Sequence, residues 1–413
     1  MAVIKSFVCI RPNAAVAHRV AALPYDVYNR REAKQEVMRE PLSFLKVDRA
    51  ETLLPDEVDT YDPAVYVKAK EQLEGMILDG TLIKEKREYF YIYELIMEGR
   101  SQTGLVACAS IDDYLDNVIK KHENTREEKE LDRINHVDIC DSHTGPIFLA
   151  YRAHPVINEV IAAVKMEAPL YHFNSADGIT HNVWKIAGDR QAQAVRDAFA
   201  EIGSIYIADG HHRAASAVKV GLARRQKNPG YTGQEGFNYF LSVLFPHDQL
   251  MIMPYNRAVR DLNGMTGAEF LNKIEKNFTV GKQGHKPYAP DTKADFGMYL
   301  DKEWYSLSAR QEIINPKDPV AALDVSLLQD HLLGPVLGIE DPRIDKRIDF
   351  IGGIRGLKEL ERRVGEDMAV AFSMYPTSIN ELFDVSDAGK LMPPKSTWFE
   401  PKLRSGLFIH KLS

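Results

Sequence analysis

The sequence has few cysteines and no long apolar run. Its three cysteines, Cys9, Cys108 and Cys140, are scattered along 413 residues, and none stands in a C-x-x-C spacing. This pattern excludes a disulfide framework and a zinc ribbon. No apolar segment approaches the roughly 20 residues of a membrane-spanning helix, and the first residues lack the apolar region and cleavage site of a signal peptide. We therefore expect a soluble, cytoplasmic protein without a membrane partner.

An excess of positive charge is also missing. The formal net charge is -7, and acidic and basic residues are interspersed. A general nucleic-acid binder needs a basic face that neutralises phosphates, so we expect no nucleic-acid partner, although a local basic pocket is compatible with this charge. Apolar residues make up 45% of the chain, which is enough to bury a sizeable core without disulfides or metal.

The length exceeds that of one ordinary compact core, so we expect two domains. Helical and strand patterns alternate without internal repeats, which predicts an α+β or α/β protein with a mixed sheet. The pattern changes to helix after Asp261, and we place the boundary there, giving domains of residues 1–262 and 263–413. The oligomeric state is left open, a homodimer included.

Several individual elements follow from the local pattern. Residues 89–96 and 102–111 predict two strands, and the turn between them predicts a hairpin. Strands at residues 239–245 and 249–254 are expected to complete the mixed sheet. Residues 120–135, in contrast, are highly charged and lack a convincing apolar stripe.

One strand-to-helix turn carries the most chemical information. A short apolar strand, residues 204–208, leads through Asp209 and Gly210 into a helix predicted for residues 211–227. Glycine can adopt a positive φ or let a ligand approach the backbone closely. The first amides of a helix have no internal partners and carry the positive end of the dipole. An anion placed there accepts hydrogen bonds from these amides and is attracted by the dipole, and Arg213 can add a forked pair of hydrogen bonds. The segment therefore predicts a phosphate-binding turn.

Two other interpretations of the same residues stay open. His211, His212 and Arg213 can decorate an exposed helix start without binding anything, or the paired imidazoles can ligate zinc. Adjacent histidines rarely point to one centre, and no H-E-x-x-H spacing is present, so we expect no zinc held by both rings. Local physics favours phosphate binding.

The run from Ile207 to Arg225 resembles the phosphate-binding motif of the ParB/sulfiredoxin superfamily. It looks closest to the Asp-Gly-His-His-Arg segment of the archaeal free serine kinases. The whole chain also resembles a widespread bacterial family labelled only as a domain of unknown function, which we place in the same superfamily. The resemblance implies an α+β fold with a mixed-sheet ParB/sulfiredoxin-like core and N-terminal and C-terminal α/β extensions. Residues 1–262 would hold the extension and the nucleotide-binding core, and residues 263–413 the substrate loop.

Two further stretches strengthen the resemblance and occur in the same order. Residues 120–123 read Lys-Lys-His-Glu and resemble a Lys-Pro-His-Glu segment whose glutamate is the proposed catalytic base. Residues 375–397 resemble the C-terminal helix of the kinases and their Ser-Pro-Lys-Thr-Thr substrate loop. This chain departs from the pattern at Trp398, where a basic residue would stand, and its first hundred residues have no assigned counterpart.

The resemblance implies a small-molecule kinase that transfers a phosphoryl group from ATP or ADP, with Mg²⁺, to the hydroxyl of free L-serine or a similar metabolite. Such transfer requires positioning, charge neutralisation and a base. Glu123 would be the base if partial desolvation raises its pKa, and Asp209 would bind Mg²⁺ or orient the hydroxyl. The implied phosphate contacts are Gly210, His211, His212 and Arg213, and the implied substrate contacts are His122, Lys395, Ser396 and Thr397.

Each implied residue also has an ordinary structural interpretation. Glu123 can be a solvated carboxylate in a charge-rich helix, and Asp209 can be a turn residue chosen for its backbone preference. Residues 395–397 can form a polar surface loop. Pro393 and Pro394 stiffen the approach to that loop, which lowers the ordering entropy lost on binding.

Three functions of other classes fit parts of the pattern. A nucleotide-binding switch of the ParB type, without metabolic turnover, would require a DNA partner that the acidic balance disfavours. Sulfiredoxin-like redox repair requires a cysteine where His211 stands, which excludes it. A metal-dependent hydrolase would use His122, Glu123 and His212.

Weaker candidates lie outside the three stretches. Asn135, His136 and the turn at residues 144–146 are close to Glu123 in sequence. The Pro24-Tyr25-Asp26 loop has no assigned role, and neither do the other first hundred residues. We interpret three more histidines as structural or surface residues: His181, His247 and His331.

Overall fold

The computed structural model describes residues 1–413 and divides them into two compact units. The first unit comprises Met1–Leu250 and Pro401–Ser413, and the second comprises Met251–Glu400. The predicted division after residue 262 differs from this arrangement. Strand pairing explains the difference, because residues 255–259 pair with strands of the second unit and residues 409–410 pair with a strand near the N-terminus.

Thirteen α-helices, α1 to α13, follow in chain order: Ala17–Val20, Arg30–Arg39, Leu45–Asp48, Pro63–Leu78, Ile111–Leu115, Glu127–Cys140, Pro155–Lys165, Asp189–Glu201, His211–Lys227, Gly267–Ile274, Asp324–Leu328, Leu357–Glu366 and Ile379–Asp387. Capping boxes fix the starts of α2, α10 and α13, where a side chain and the backbone three residues later satisfy each other's hydrogen bonds. None of these helices combines the length and the apolar character that crossing a membrane would require.

Twenty-one strands, β1 to β21, follow in chain order: Ile4–Lys5, Cys9–Pro12, Leu82–Lys84, Phe90–Met97, Arg100–Ser110, Ile119–Lys120, Ser142–His143, Ile147–Tyr151, Tyr171–Asn174, Thr180–Ile186, Ile205–Asp209, Tyr239–Pro246, Met251–Met253, Tyr255–Val259, Phe278–Gly284, Asp295–Leu300, Glu303–Ala309, Ile348–Gly352, Val370–Met374, Trp398–Glu400 and Ile409–Lys411.

A nine-stranded mixed sheet dominates the first unit, in the order β6-β11-β8-β12-β5-β4-β10-β9, with β1 paired to β5. β12 runs parallel to β8 and β6 runs parallel to β11, whereas the other pairs are antiparallel. The predicted α+β class with a large mixed sheet is therefore confirmed. The predicted hairpin is β4–β5, and its loop residues Glu98 and Gly99 have φ values of 51° and 80°, as a two-residue loop between twisted strands requires.

The main core packs on this sheet. Its fully buried side chains come from central strands and from the helices that cover them, including Leu105, Leu149, Phe199, Ala214 and Leu244, all with 0% exposure. β8 and β12 are buried along nearly their whole length, which is why their sequences are nearly continuous apolar runs rather than alternating ones. β5 is buried from Gln102 to Ser110 although its first half is polar.

A second core in the first unit joins the N-terminal helices to a four-stranded sheet of order β3-β2-β21-β7. Helices α2, α3 and α4 supply half of its buried residues, and Ile10, Leu82 and Ile409 supply the strand side. β21 comes from the last residues of the chain and lies between β2 and β7. Residues 9–84 and the C-terminal strand, completed by β7, therefore build this N-terminal layer.

The second unit is formed around a six-stranded antiparallel sheet of order β15-β17-β16-β19-β14-β18, with a separate two-stranded pair, β13–β20. The prediction that residues 249–254 would complete the large mixed sheet is wrong. β12 already has β5 on one side and β8 on the other, so no edge remains where β13 could pair with it.

Candidate functional site

The strand-to-helix turn forms as predicted. β11 ends at Asp209, Gly210 takes a φ of 93°, and α9 begins at His211. A Cβ on Gly210 would lie 3.0 Å from Nε of Arg213, so both the backbone conformation and the folded-back arginine require glycine here. No side chain caps the first turn of α9. Its first amides therefore lack the usual side-chain acceptor and are suited to an anion.

Asp209 forms an ion pair with a residue from the end of the chain. Nζ of Lys402 lies 3.0 Å from Oδ2 of Asp209. Burial opposes ionisation of this carboxyl, but the charges of Lys402 and Arg213 outweigh burial and hold the pKa of Asp209 well below its usual range. Asp209 is therefore an anion at neutral pH, whether or not a ligand is bound.

Arg213 reaches back from the first turn of α9. Its Nη1 donates to the backbone carbonyl of Pro146 at 2.6 Å, and it passes close to Gly145, whose added Cβ would lie 3.7 Å from Nη1. Pro146 directly precedes β8, which is antiparallel to β11. The start of one strand therefore lies beside the end of the other, and this places the 144–146 turn beside the phosphate-binding candidate.

His122 and Glu123 reach the same turn from another strand. They follow β6, which runs parallel to β11 with Ile119 opposite Ile205. Because parallel strands end at the same edge of a sheet, residues after β6 meet residues after β11. The rings of His122 and His211 contact edge to face with centroids 4.4 Å apart, and Nδ1 of His211 lies 3.8 Å from Oε2 of Glu123.

These two imidazoles are neutral at physiological pH. Burial lowers the pKa of His122 to about 4, against the opposing charge of Asp209. Burial, with the neighbouring His122, also holds the pKa of His211 well below its ordinary value. His211 therefore contributes hydrogen-bonding or ligating nitrogens to the turn rather than the positive charge that a histidine beside phosphate could carry.

His212 instead supports the loop that precedes α6. Its Nε2 accepts a hydrogen bond from the backbone N–H of Arg126 at 3.0 Å, and Arg126 is the residue that precedes α6. The two adjacent imidazoles therefore do not share a centre, as the sequence predicted. The group that could hold a metal contains His211 with His122 and Glu123, and not the His212 of the hydrolase interpretation.

Helix α6 supports α9 and was not recognised from its charged sequence. Several of its polar side chains are buried, among them Glu130, Asp132 and Arg133. Ser216 on α9 donates to the backbone carbonyl of Glu130 at 3.0 Å, and Lys219 pairs with the Glu130 carboxylate. The packing face of α6 combines these ion pairs and hydrogen bonds with only a few apolar contacts, such as Val137 against Val220, so hydrophobic periodicity reveals it poorly.

A polar cavity adjoins Arg213. Five of its lining residues come from the 143–147 segment and α9, and the others come from the N-terminal layer, α6, β12 and the C-terminal segment. The lining residues are Tyr25, Asp48, Arg133, His136, Val137, His143, Thr144, Gly145, Ile147, Arg213, Leu241 and Ser405. The weaker candidates His136, Thr144 and Gly145 are among these residues. Pro146 contacts Arg213 through its carbonyl.

Tyr25 is the site residue that sequence reasoning left without a role. The guanidinium of Arg133 stacks 4.1 Å from the centre of its ring, and Nη1 of Arg49 donates to its backbone carbonyl at 2.9 Å. Burial raises the pKa of Tyr25 to about 12, partly offset by Arg133. In the sequence, only the unusual Pro-Tyr-Asp run singled out Tyr25, and its role in the cavity became apparent only from its contact with Arg133, which is distant in sequence.

The predicted substrate loop, residues 395–397, lies in the second unit. Nη2 of Arg257 donates to the carbonyl of Lys395 at 3.1 Å, and Thr377 donates to the carbonyl of Ser396 at 2.9 Å. Lys395 has a φ of 61° and its ammonium lies 5.6 Å from the ring centre of Tyr255. The buried Ser396 hydroxyl donates to Pro393, so the loop is held in one conformation by its own unit.

A large mixed sheet and a strand-to-helix turn with uncapped amides define an α+β protein with a candidate anion site. Residues 4–326 match the model of the family described as "Protein of unknown function (DUF1015)". Because the match spans well over half of the chain, the protein belongs to that family. No curated protein matches the chain.

Solved structures give weak matches. Free serine kinase in complex with AMP is 15% identical with a TM-score of 0.33, covering 73% of this chain and 92% of that chain. SbnI from Staphylococcus aureus, with a C-terminal truncation, is 11% identical with a TM-score of 0.39, covering 74% and 87%. A conserved hypothetical protein from Pyrococcus furiosus is 13% identical with a TM-score of 0.34, covering 76% and 97%.

Proposed function

We propose that this chain is a phosphotransferase that transfers a phosphoryl group from ATP or ADP to the hydroxyl of free L-serine or a similar small metabolite. The observation that carries the proposal is the approach of Glu123 to the uncapped start of α9, with its Oε2 3.8 Å from His211. A carboxylate beside an anion-binding turn is the pairing that phosphoryl transfer to an alcohol needs. We also place the first unit in the ParB/sulfiredoxin superfamily on the motif at residues 207–225.

The nucleotide phosphates would lie against Gly210 and the first amides of α9. Three features favour an anion there: the helix dipole, amides without a side-chain cap, and the guanidinium of Arg213. Arg213 donates one hydrogen bond to Pro146, and its guanidinium has further N–H groups that can donate to a phosphate oxygen. Loss of the Arg213 guanidinium should therefore weaken nucleotide binding more than it weakens folding.

Asp209 is the proposed contact to Mg²⁺. Carboxylate oxygens are the ligands that Mg²⁺ prefers, and it binds phosphates and one or two carboxylates together. The anionic state of Asp209 fits this role. Lys402 holds the same carboxylate at 3.0 Å, so the lysine and the ion would compete for it. When bound, Mg²⁺ would neutralise phosphate charge.

Glu123 is the proposed base for the acceptor hydroxyl. Its side chain is 43% exposed, which lets a small alcohol approach it from solvent. We propose the cavity beside Arg213 for the acceptor, because Tyr25, Thr144 and Arg133 offer a ring face, a hydroxyl and a buried cation there. Glu123 does not itself line this cavity, so the acceptor would have to extend out of it to reach the base. The binding roles of His122 and of the second-unit residues Lys395, Ser396 and Thr397 stay predictions.

The direct test is product formation. Purified protein is incubated with Mg²⁺ and either ATP or ADP, first with L-serine and then with a panel of small hydroxylated metabolites, and phosphorylated products are followed by ³¹P NMR and mass spectrometry. We expect O-phosphoserine or one related phosphate ester, formed in proportion to enzyme. If no member of the panel is phosphorylated with either nucleotide, the proposal is wrong.

A further inference from the structure

The cluster of His122, Glu123 and His211 has an arrangement that the phosphotransferase proposal does not explain. One potential ligand atom from each residue lies within 4.8 Å of the other two. Both histidines are deeply buried, with 2% and 6% exposure, respectively. Buried polar nitrogens are nearly always hydrogen-bonded, yet Nε2 of His211 has no hydrogen-bond partner. The ring of His122 approaches the backbone of Ile207, but neither of its nitrogens reaches hydrogen-bond geometry.

The spacing of these atoms fits a metal ion. Ligands about 2.0–2.2 Å from a tetrahedral or five-coordinate metal lie roughly 3–4 Å from one another. Nδ1 of His211 and Oε2 of Glu123 are 3.8 Å apart, which is too long for a hydrogen bond and suitable for two ligands of one ion. His122 and Glu123 lie in the segment after β6, and His211 is the first residue of α9, so binding would require these three side chains to rotate toward one centre.

The chemistry of the donors selects the kind of metal. Two imidazoles and one carboxylate are the ligand set of borderline transition-metal ions such as Zn²⁺, whereas Mg²⁺ prefers oxygen ligands. Glu123 is 43% exposed and provides the path by which an ion would enter.

We propose that His122, Glu123 and His211 form a three-ligand site for a divalent transition-metal ion, with open coordination positions toward solvent. Three protein ligands with an open position are the pattern of catalytic rather than structural metal sites. The site lies beside the proposed Mg²⁺ contact at Asp209, whose charge acts on both histidines, and differs from it in its donor atoms. This proposal is independent of the phosphotransferase proposal, since the two give Glu123 different roles. A carboxylate that ligates this ion cannot act as a base in the same enzyme form.

The experiment measures binding without nucleotide. Tag-free, chelator-treated protein is titrated with Zn²⁺ by calorimetry, and with Co²⁺ by visible absorption, which reports coordination number and ligand type. We expect one ion per chain and an absorption spectrum of a four- or five-coordinate Co²⁺ centre. Loss of a supporting residue around a metal site already lowers affinity about 10–100-fold, so Glu123→Gln and His122→Ala should lower it by at least about 100-fold.

A surface pair provides the matched control. His154 and Glu201 lie 3.3 Å apart and offer the same donor types without a third ligand, so His154→Ala should leave Zn²⁺ stoichiometry and affinity unchanged. The His122→Ala variant removes a buried side chain and can fail to fold. Glu123→Gln changes a half-exposed side chain, so we expect it to keep the fold, which circular dichroism checks, and this variant decides the test. The proposal is overturned if the wild type binds no stoichiometric Zn²⁺, or if Glu123→Gln binds it as tightly as the wild type.

Discussion

Lys402 Nζ lies 3.0 Å from Asp209 Oδ2 although 193 residues separate the two in sequence. The C-terminal segment thereby supplies the counter-ion for the carboxylate that directly precedes the phosphate-binding candidate. The same segment supplies β21 to the N-terminal layer and Ser405 to the cavity. Residues 401–413 are therefore part of the candidate site as well as of the fold.

Removal of the Lys402 ammonium should destabilise the protein. Asp209 is 35% exposed at its side chain, so solvent screens part of the interaction, and we expect Lys402→Ala to lower the free energy of unfolding by about 1 kcal/mol at pH 7. Because the folded-state pKa of Asp209 is lowered, its contribution is fully present above the unfolded-state value of about 3.9 and is lost progressively as pH falls from that value through the lower folded-state pKa. Urea unfolding at pH 7 and near pH 3 checks both statements. Lys402→Arg is the control, and a difference between wild type and Lys402→Ala that grows on acidification would contradict the prediction.

Gly210→Ala should disrupt the turn. The new side chain would have to adopt a φ of 93° and would lie 3.0 Å from Arg213, which together should lower the free energy of unfolding by about 1–3 kcal/mol. Nucleotide affinity should fall with it, because Arg213 is displaced. Gly203→Ala is the matched control, since that glycine has a negative or extended φ and no heavy atom within 4 Å of the added Cβ. Equal thermal midpoints for the two variants would show that the turn tolerates a side chain.

Glu123→Gln should separate catalysis from binding. Removing a general base typically lowers the rate by about 10²–10⁴-fold, whereas nucleotide affinity should stay within about twofold, since the phosphates are bound by the other residues of the turn. Turnover by product analysis and nucleotide Kd by calorimetry are the two measurements. Glu128→Gln, in the first turn of α6, should change neither. Retained turnover in Glu123→Gln would remove Glu123 from the mechanism.

The ring of Tyr25 should matter more than its hydroxyl. Arg133 stacks 4.1 Å from the ring centre, and a partly desolvated cation–π contact is worth about 1–2 kcal/mol. Tyr25→Ala should therefore lower the free energy of unfolding by about that amount and raise the KM for the acceptor, while Tyr25→Phe should behave like the wild type. Denaturant unfolding and steady-state kinetics compare the three proteins. If Tyr25→Phe loses as much as Tyr25→Ala, the phenol oxygen is the important group instead.

The sequence revealed local structure where local forces dominate. The glycine of the turn, the apolar strand before it and the helix after it predicted the geometry at residues 205–227, because a backbone with positive φ and an uncapped helix start are encoded within a few residues. The β4–β5 hairpin was predictable for the same reason. Helix α6 was missed because its buried face carries ion pairs, whose partners are remote in sequence.

By itself, then, the chain determined an α+β fold with a mixed sheet and the strand-to-helix turn. Only the tertiary structure decided that residues 401–413 return to the first unit, that Tyr25 and Arg133 line a cavity beside Arg213, and that His211 rather than His212 meets His122 and Glu123. These relationships depend on which strands are parallel neighbours and on where each strand ends. Pairing between distant strands is set by the packing of the whole sheet, which no local pattern specifies.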